Sequence, residues 1–361
     1  MKRILFITSY WPQATETFIK AEYLYLKRTV DLHAFCVFPQ ENDPDVKALF
    51  PLKPQNAYKN SFIKSLIKSI IPSKMIQEKK YQISIDRLST YCESNNIEHI
   101  YAATGDISSW LAFKTSNITK IPFSVSLHAD DYFNSTLFSK DLLISAKHVF
   151  VCNKETSNQI KLDYPSISNL LYFSHGVDLD LFDFKLRESN LNCLRLLFIG
   201  RFVAKKGIHK LIELHKYLTD HHIKHQFSIY GEGPLRAELA KYQSQNFKLF
   251  SSVPHQSVKG ILQNHDLFVF PSIAYPKSRE GLSNIVLESM AAGTTVALSP
   301  SGGLKELPPK TYIDLEEFSI FERINQEILS KKSMEARTLI EHKFNKKELL
   351  IKKFHILVGK K

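Results

Sequence analysis

Apolar residues in this chain fall into two alternating kinds of run. Nearly continuous apolar stretches at 3–8, 32–38, 99–102, 123–127, 148–152 and 169–172 read as buried strands. A second set follows at 194–200, 225–230, 247–250, 267–270 and 295–298. Between them, stretches such as 16–27 and 210–218 place apolar residues every three to four positions, the period of a helix packed on one side. Alternating strand and helix signals predict an α/β protein with parallel sheets covered on both faces. The pattern restarts near residue 190, after a polar, turn-rich stretch at 174–192. The chain therefore reads as two doubly wound, Rossmann-like domains joined by a linker, each long enough to bury its own core. No repeat of 20–50 residues and no low-complexity segment is visible. Open α/β sheets bind ligands outside the carboxyl ends of their strands, so chemistry is expected in the loops directly after strands.

Composition narrows the class. The 361 residues are 43% hydrophobic and include 25 Phe and 15 Tyr, which excludes a disordered chain, and 12 Gly exclude a collagen-like one. Cys36, Cys92, Cys152 and Cys193 are far apart with no CxxC pair. That argues against a disulfide scaffold or a cysteine zinc module and for a reducing, cytoplasmic setting. The apolar run 4–7 is too short for a signal-peptide core and reads as a first strand, and no run approaches the roughly 18 residues of a membrane span.

Forty-eight basic residues against 36 acidic ones give a formal charge of +12, which calls for anionic company. The excess is local. Residues 53–80 hold seven lysines against Glu78, and residues 331–361 hold ten basic residues against Glu335, Glu341 and Glu348; the remainder is close to neutral. Phe62, Ile63, Leu66, Ile67, Ile70 and Ile71 follow helical spacing beside those lysines. A basic amphipathic helix of this kind suits an anionic membrane surface, and the stripe equally suits a helix packed on its own domain. No nucleic-acid-binding module is recognisable, so nucleic acid is not an expected partner.

Two segments carry candidate chemistry. From Phe268 to Gly293 a buried strand ends at Pro271, a loop follows, and a helix is expected from about Gly281. Glu280 and Glu288, with seven residues between them, would then face roughly the same side. The amides of Gly281, Leu282 and Ser283 would form an anion site at the helix start. Carboxylates near sugar hydroxyls and amides near phosphate suit a nucleotide-sugar; an ordinary helix start with acidic residues that favour its dipole has the same spacing. The second segment runs from Leu197 to Gly207. A strand ends at Gly200, Arg201 and Lys206 occupy the loop, and Gly207 opens the next helix. A planar guanidinium and a point-charge ammonium suit diphosphate oxygens, and cations at a helix start oppose its dipole unless an anion offsets them.

Together these segments resemble the retaining nucleotide-sugar glycosyltransferases of family 4, which have the GT-B fold. Tyr230-Gly231-Glu232-Gly233-Pro234-Leu235 is similar to the family's strand-end loop, Ser252-Val253-Pro254-His255 to its loop beside the nucleotide base, and His175-Gly176-Val177-Asp178 to its turn into the interdomain linker. The stretch from Pro122 to His128-Ala129-Asp130 resembles the strand that ends in the family's active-site histidine. Trp11-Pro12 and Glu16-Thr17-Phe18-Ile19 resemble the start of members that build exopolysaccharide or lipopolysaccharide. The resemblance covers nearly the whole chain.

It implies two Rossmann-like domains facing across a cleft: residues 1–180 binding acceptor, residues 181–339 binding the nucleotide-sugar, and a terminal helix at about 340–361 crossing back to the first. Arg201 and Lys206 would hold the diphosphate, supported by the Gly281, Leu282 and Ser283 amides. Glu280 would bind donor-sugar hydroxyls, Glu288 the ribose, and Val253 and Gly231 would lie against the nucleoside. His128 would lie under the donor sugar, with Thr15, Glu16, Thr17 and Asp130 on the acceptor side. The implied acceptor is a glycan or lipid-linked glycan, at the inner face of the plasma membrane, with no metal or other cofactor. The family's glycine-rich loop after the first strand is absent here, where residues 9–15 contain no glycine, which puts backbone contact with the donor there in doubt. A nucleotide-sugar epimerase of similar fold shares most of these features. A non-catalytic relative is disfavoured by intact Arg201, Lys206, Glu280 and Glu288. His221, His222 and His225 have ligand-like spacing but are expected to be surface histidines, and Gly231 and Gly233 lack the third glycine of a dinucleotide fingerprint.

Overall fold

The computed structural model describes residues 1–11, 17–40, 43–49, 73–128, 131–134, 139–186, 191–273 and 280–359. Two compact units form. One comprises Met1–Cys152, Thr156–Phe173 and the chain from Leu350; the other comprises Asn153–Glu155 and Ser174–Leu349. The change of unit thus falls at Ser174 rather than 180, and residues 340–349 remain with the second unit.

The first unit holds a seven-stranded sheet in the order β3-β2-β1-β4-β5-β6-β7. Its strands are β1 (Arg3–Trp11), β2 (Asp31–Pro39), β3 (Val46–Ala48), β4 (His99–Ala102), β5 (Phe123–Leu127), β6 (His148–Val151) and β7 (Leu170–Tyr172). Every pairing is parallel. The unbroken apolar run of β1 has a simple cause: Leu5 and Ile7 enter one core, Ile4 and Phe6 the other, on opposite faces of the sheet.

The second unit holds six parallel strands in the order β10-β9-β8-β11-β12-β13. These are β8 (Leu194–Ile199), β9 (His225–Tyr230), β10 (Phe247–Phe250), β11 (Leu267–Phe270), β12 (Thr295–Leu298) and β13 (Ile313–Asp314). In each sheet the order reverses once, between β1 and β4 and between β8 and β11. There the following connections depart to opposite faces and leave a crevice at the carboxyl edge.

The helix Lys346–Val358 closes the chain on the first unit. Phe354 stacks on Tyr25, with ring centroids 5.4 Å apart. The buried Lys353 ammonium meets Glu22 and donates to Ser126 Oγ at 2.8 Å, while the Tyr101 hydroxyl donates to the other Glu22 oxygen. Glu22 lies on the inward stripe Ile19, Glu22, Tyr23, Leu26 of the helix Thr17–Thr29. Lys353, one of the ten basic residues of 331–361, is thus buried and adds nothing to a surface charge. Arg337, with its side chain 16% exposed, donates to the Phe182 and Ala291 carbonyls and to Glu341. The stripe 62–71 lies outside the described residues. Among the described residues no helix is long and apolar enough to cross a membrane.

Candidate functional site

The crevice of the second sheet lies between the loops that follow β8 and β11. After β8 the chain makes a 3-10 turn, Ala204–Lys206, and Gly207 at φ +69° starts the helix Ile208–Asp220. After β11 the chain returns at Glu280. Lys206 Nζ lies 2.8 Å from Glu280 Oε1, with the two side chains only 13% and 8% exposed. The ammonium also sits 4.6 Å from the centroid of the Phe270 ring, the last residue of β11. Burial pulls the Lys206 ammonium below the usual lysine range, and the neighbouring Lys205 and Arg201 add to this, while Glu280 opposes it. Glu280 Oε2 is buried and has no hydrogen-bond partner among the described residues. A buried carboxylate oxygen without a donor is costly. Arg201 is exposed at the end of β8.

The expected helix at Gly281 is not formed. The helix is Asn284–Ala292, with Ser283 as its N-cap. Gly281, Leu282 and Ser283 instead lead into it, because the Glu280 carbonyl accepts from Gly303 N–H at 2.8 Å and holds this stretch against the loop after β12. Glu280 therefore stands outside the helix, and the periodicity that put it on one face with Glu288 does not apply. Glu288, 7% exposed, is in the helix and accepts from His255 Nε2 at 2.9 Å. That hydrogen bond raises the His255 pKa against the opposing effect of burial, with the Glu288 charge adding to the rise and Lys346 lowering it. His255 opens the helix His255–Gln263, directly after Val253 and Pro254; Val253 is half-buried against the core. Gly231 follows β9 at φ +149°, where a Cβ would fall 1.9 Å from the Gly200 carbonyl oxygen.

The first unit has its own polar cluster at the β1/β4 reversal, from the ends of β1, β4 and β5. Ser9 and Thr104 hydroxyls donate to Asp106 Oδ1, which also accepts from Ser108 N–H at 3.3 Å. Asp131 Oδ2 accepts from Gly105 N–H at 2.8 Å and His128 N–H at 2.9 Å, and lies 3.2 Å from His128 Nδ1. Phe18 packs on the His128 ring at 4.6 Å. Thr17 begins the helix Thr17–Thr29 and is half-buried. Thr15, Glu16 and Asp130 lie outside the described residues.

Sequence reasoning gave no role to Ser9, Asp106, Asp131 or His255: Ser9 reaches Asp106 and His255 reaches Glu288 only through the fold, whereas Asp131 lies three residues from His128. Asp131 carried one faint signal, its place one residue beyond the His-Ala-Asp stretch. His225 is a correction: it is buried, 3% exposed, with Nε2 2.9 Å from His215 Nδ1, whereas His221 and His222 are at the surface.

Residues 193–314, about a third of the chain, match the family model "Glycosyl transferases group 1". An amylovoran biosynthesis glycosyltransferase of Erwinia amylovora is 30% identical over 138 residues, 37% of this chain and 34% of the relative. A putative colanic acid biosynthesis glycosyltransferase of Escherichia coli K12 is 26% identical over 187 residues, 47% and 46% of the two chains. The match thus spans less than half the length of these curated relatives. The crystal structure of Anabaena Alr3699/HepE in complex with UDP superposes with a TM-score of 0.72 over 99% of this chain and all of that one, at 14% identity. The architecture is the GT-B fold, and its second unit carries, from Cys193 to Asp314, the sequence pattern of the group 1 glycosyl transferases.

Proposed function

We propose that this protein is a retaining glycosyltransferase that moves a sugar, a hexose or close derivative, from a nucleoside-diphosphate sugar to a glycan or lipid-linked glycan acceptor in cell-surface polysaccharide synthesis. The observation that carries this reading is the buried Lys206–Glu280 pair, with one Glu280 oxygen unpartnered among the described residues, at the carboxyl edge of the second sheet. A cation for the diphosphate and a carboxylate acceptor for sugar hydroxyls stand side by side there. The names of the polysaccharide-synthesis relatives and the UDP in the similarly folded Anabaena structure support the same substrate class.

In this reading Arg201 and Lys206 neutralise the leaving diphosphate, so that no metal is needed for that charge. Glu280 and the turn Gly281–Ser283 hold the sugar, while Glu288, Val253 and Gly231 hold the nucleoside. The bond from the anomeric carbon to the diphosphate oxygen breaks with its electron pair on the diphosphate. The acceptor oxygen bonds to that carbon on the same face, and its proton passes to the diphosphate. In the same reading His128 of the first unit lies under the donor sugar, while Thr17 and the stretch around residues 15–16 and 130 serve the acceptor. The protein would work in the cytoplasm, with basic residues of 53–80 and 331–361 drawing it to the anionic inner membrane surface.

The test is a panel of nucleoside-diphosphate sugars read by thermal shift, followed by product analysis with lipid-linked glycan acceptors. A ligand-dependent rise in Tm and a product of retained configuration are expected. Absence of binding to every donor, or conversion of the donor without an acceptor, overturns the assignment. Co-sedimentation with phosphatidylglycerol vesicles tests the membrane part, which fails if neutral vesicles bind equally well.

A further inference from the structure

We infer that Asp131 is a positioning residue for His128, fixing the imidazole as the Nδ1–H tautomer with Nε2 as its acceptor nitrogen; the effect on turnover rests on the glycosyl-transfer reading. The two residues lie at the carboxyl edge of the first sheet, His128 just after β5 and Asp131 opening the short helix Asp131–Asn134. One carboxylate oxygen, Asp131 Oδ2, gathers the Gly105 and His128 amides and His128 Nδ1 within 2.8–3.2 Å. Backbone amides can only donate, so this oxygen acts as an acceptor, and the third group that meets it is held as a donor. A neutral imidazole that donates from Nδ1 accepts through Nε2. The clamp also ties the loop after β4 to the loop after β5, and Phe18 against the ring limits its rotation.

The neighbouring charges are consistent. Burial would raise the Asp131 carboxyl, but the hydrogen bonds from the His128 ring and from the His128 and Gly105 amides outweigh it and hold the group below the usual range. Asp106 is pushed upward by burial and by the Asp131 charge, against its bonds from Ser9, Thr104 and Ser108. Of the two neighbouring carboxyls, Asp131 is thus the one whose surroundings favour the charged form. Asp106 instead organises the turn after β4 through three donors.

The experiment is long-range proton–nitrogen NMR of the histidine side chains in the free, full-length protein, assigned with His128→Gln. The wild-type protein is expected to show His128 protonated at Nδ1, and Asp131→Ala to shift it toward the Nε2–H form. Asp131→Asn keeps an oxygen for the amides without the charge and should fall between. Asp106→Asn should leave the tautomer unchanged. With donor and acceptor, Asp131→Ala should lower kcat by at least about tenfold and leave the Kd for UDP, the probe of the nucleotide site, unaltered. An Nε2–H tautomer in the wild-type protein overturns the inference, as does an unchanged tautomer or kcat in Asp131→Ala. The NMR result needs no turnover, so a protein with the Nδ1–H form but no transfer activity would refute the proposed function alone.

Discussion

Lys206 and Glu280 come from loops after neighbouring strands and meet at 2.8 Å, both almost fully withdrawn from water. Each is the other's main electrostatic support, and neither has much solvent to fall back on. Removing one partner of such a pair strands the other. Lys206→Ala should therefore cost about 3–5 kcal/mol of stability, read by denaturant unfolding. Lys206→Met with Glu280→Gln should recover most of it. Both variants should lose UDP-sugar turnover. A Lys206→Ala protein of unchanged stability and activity would show that the pair matters to neither.

His255 and Glu288 give the second unit a pH dependence. The His255 pKa is raised above the ordinary 6.5 by its bond to Glu288. The contribution to stability is therefore complete below 6.5 and is lost as pH rises through the raised folded value. In the proposed reading, imidazolium on Glu288 also competes with ribose hydroxyls for the same carboxylate. Nucleotide affinity should rise as pH passes upward through that window, and His255→Ala should flatten the rise. Calorimetric UDP titrations across pH 6–9 in both proteins decide it; parallel curves would remove His255 from the account.

The strands legible in the sequence were the apolar-rich ones, whether buried throughout, as β4, β5, β11 and β12 are, or partly exposed, as β9 and β10 are. Six of them, β4, β5, β9, β10, β11 and β12, have the bounds that their apolar runs predict. The edge strands Val46–Ala48 and Ile313–Asp314 are too short to show any period. The candidate chemistry was legible as residue types but not as partnerships. The shift of the helix start from Gly281 to Asn284 depends on a hydrogen bond to Gly303, more than twenty residues away. His255 reaches Glu288 only because two helices after different strands pack side by side, which no local pattern encodes.

Lys353 in the terminal helix tests how that helix is held. Its ammonium is 8% exposed and shared between Glu22 and Ser126 Oγ. Lys353→Ala leaves Glu22 buried with the Tyr101 hydroxyl as its remaining charge-stabilising donor. A loss of about 3–5 kcal/mol is expected, with hydrogen exchange rising first in the helix Lys346–Val358. Lys353→Met with Glu22→Gln should restore protection there. If Lys353→Ala exchanges like the wild type, the helix is held by its apolar packing, led by Phe354 and Leu357.

Two glycines receive the same substitution with opposite expected signs. Gly302 has φ +53°, and a Cβ there would fall 2.2 Å from the Glu280 carbonyl oxygen. Gly302→Ala must strain its own backbone and push back the residue whose carboxylate meets Lys206. A loss above about 1 kcal/mol is expected, together with weaker UDP-sugar binding. Gly260 lies inside the helix His255–Gln263, and a Cβ there meets nothing within 4 Å. Gly260→Ala should stabilise by about 0.5–1 kcal/mol, since alanine removes the helix penalty of glycine without a clash, and should leave binding alone. Urea midpoints and donor titrations of the two variants, made side by side, separate close packing behind Glu280 from a general intolerance of substitution. Equal losses in both would mean that the loop after β12 has no special part in placing the carboxylate.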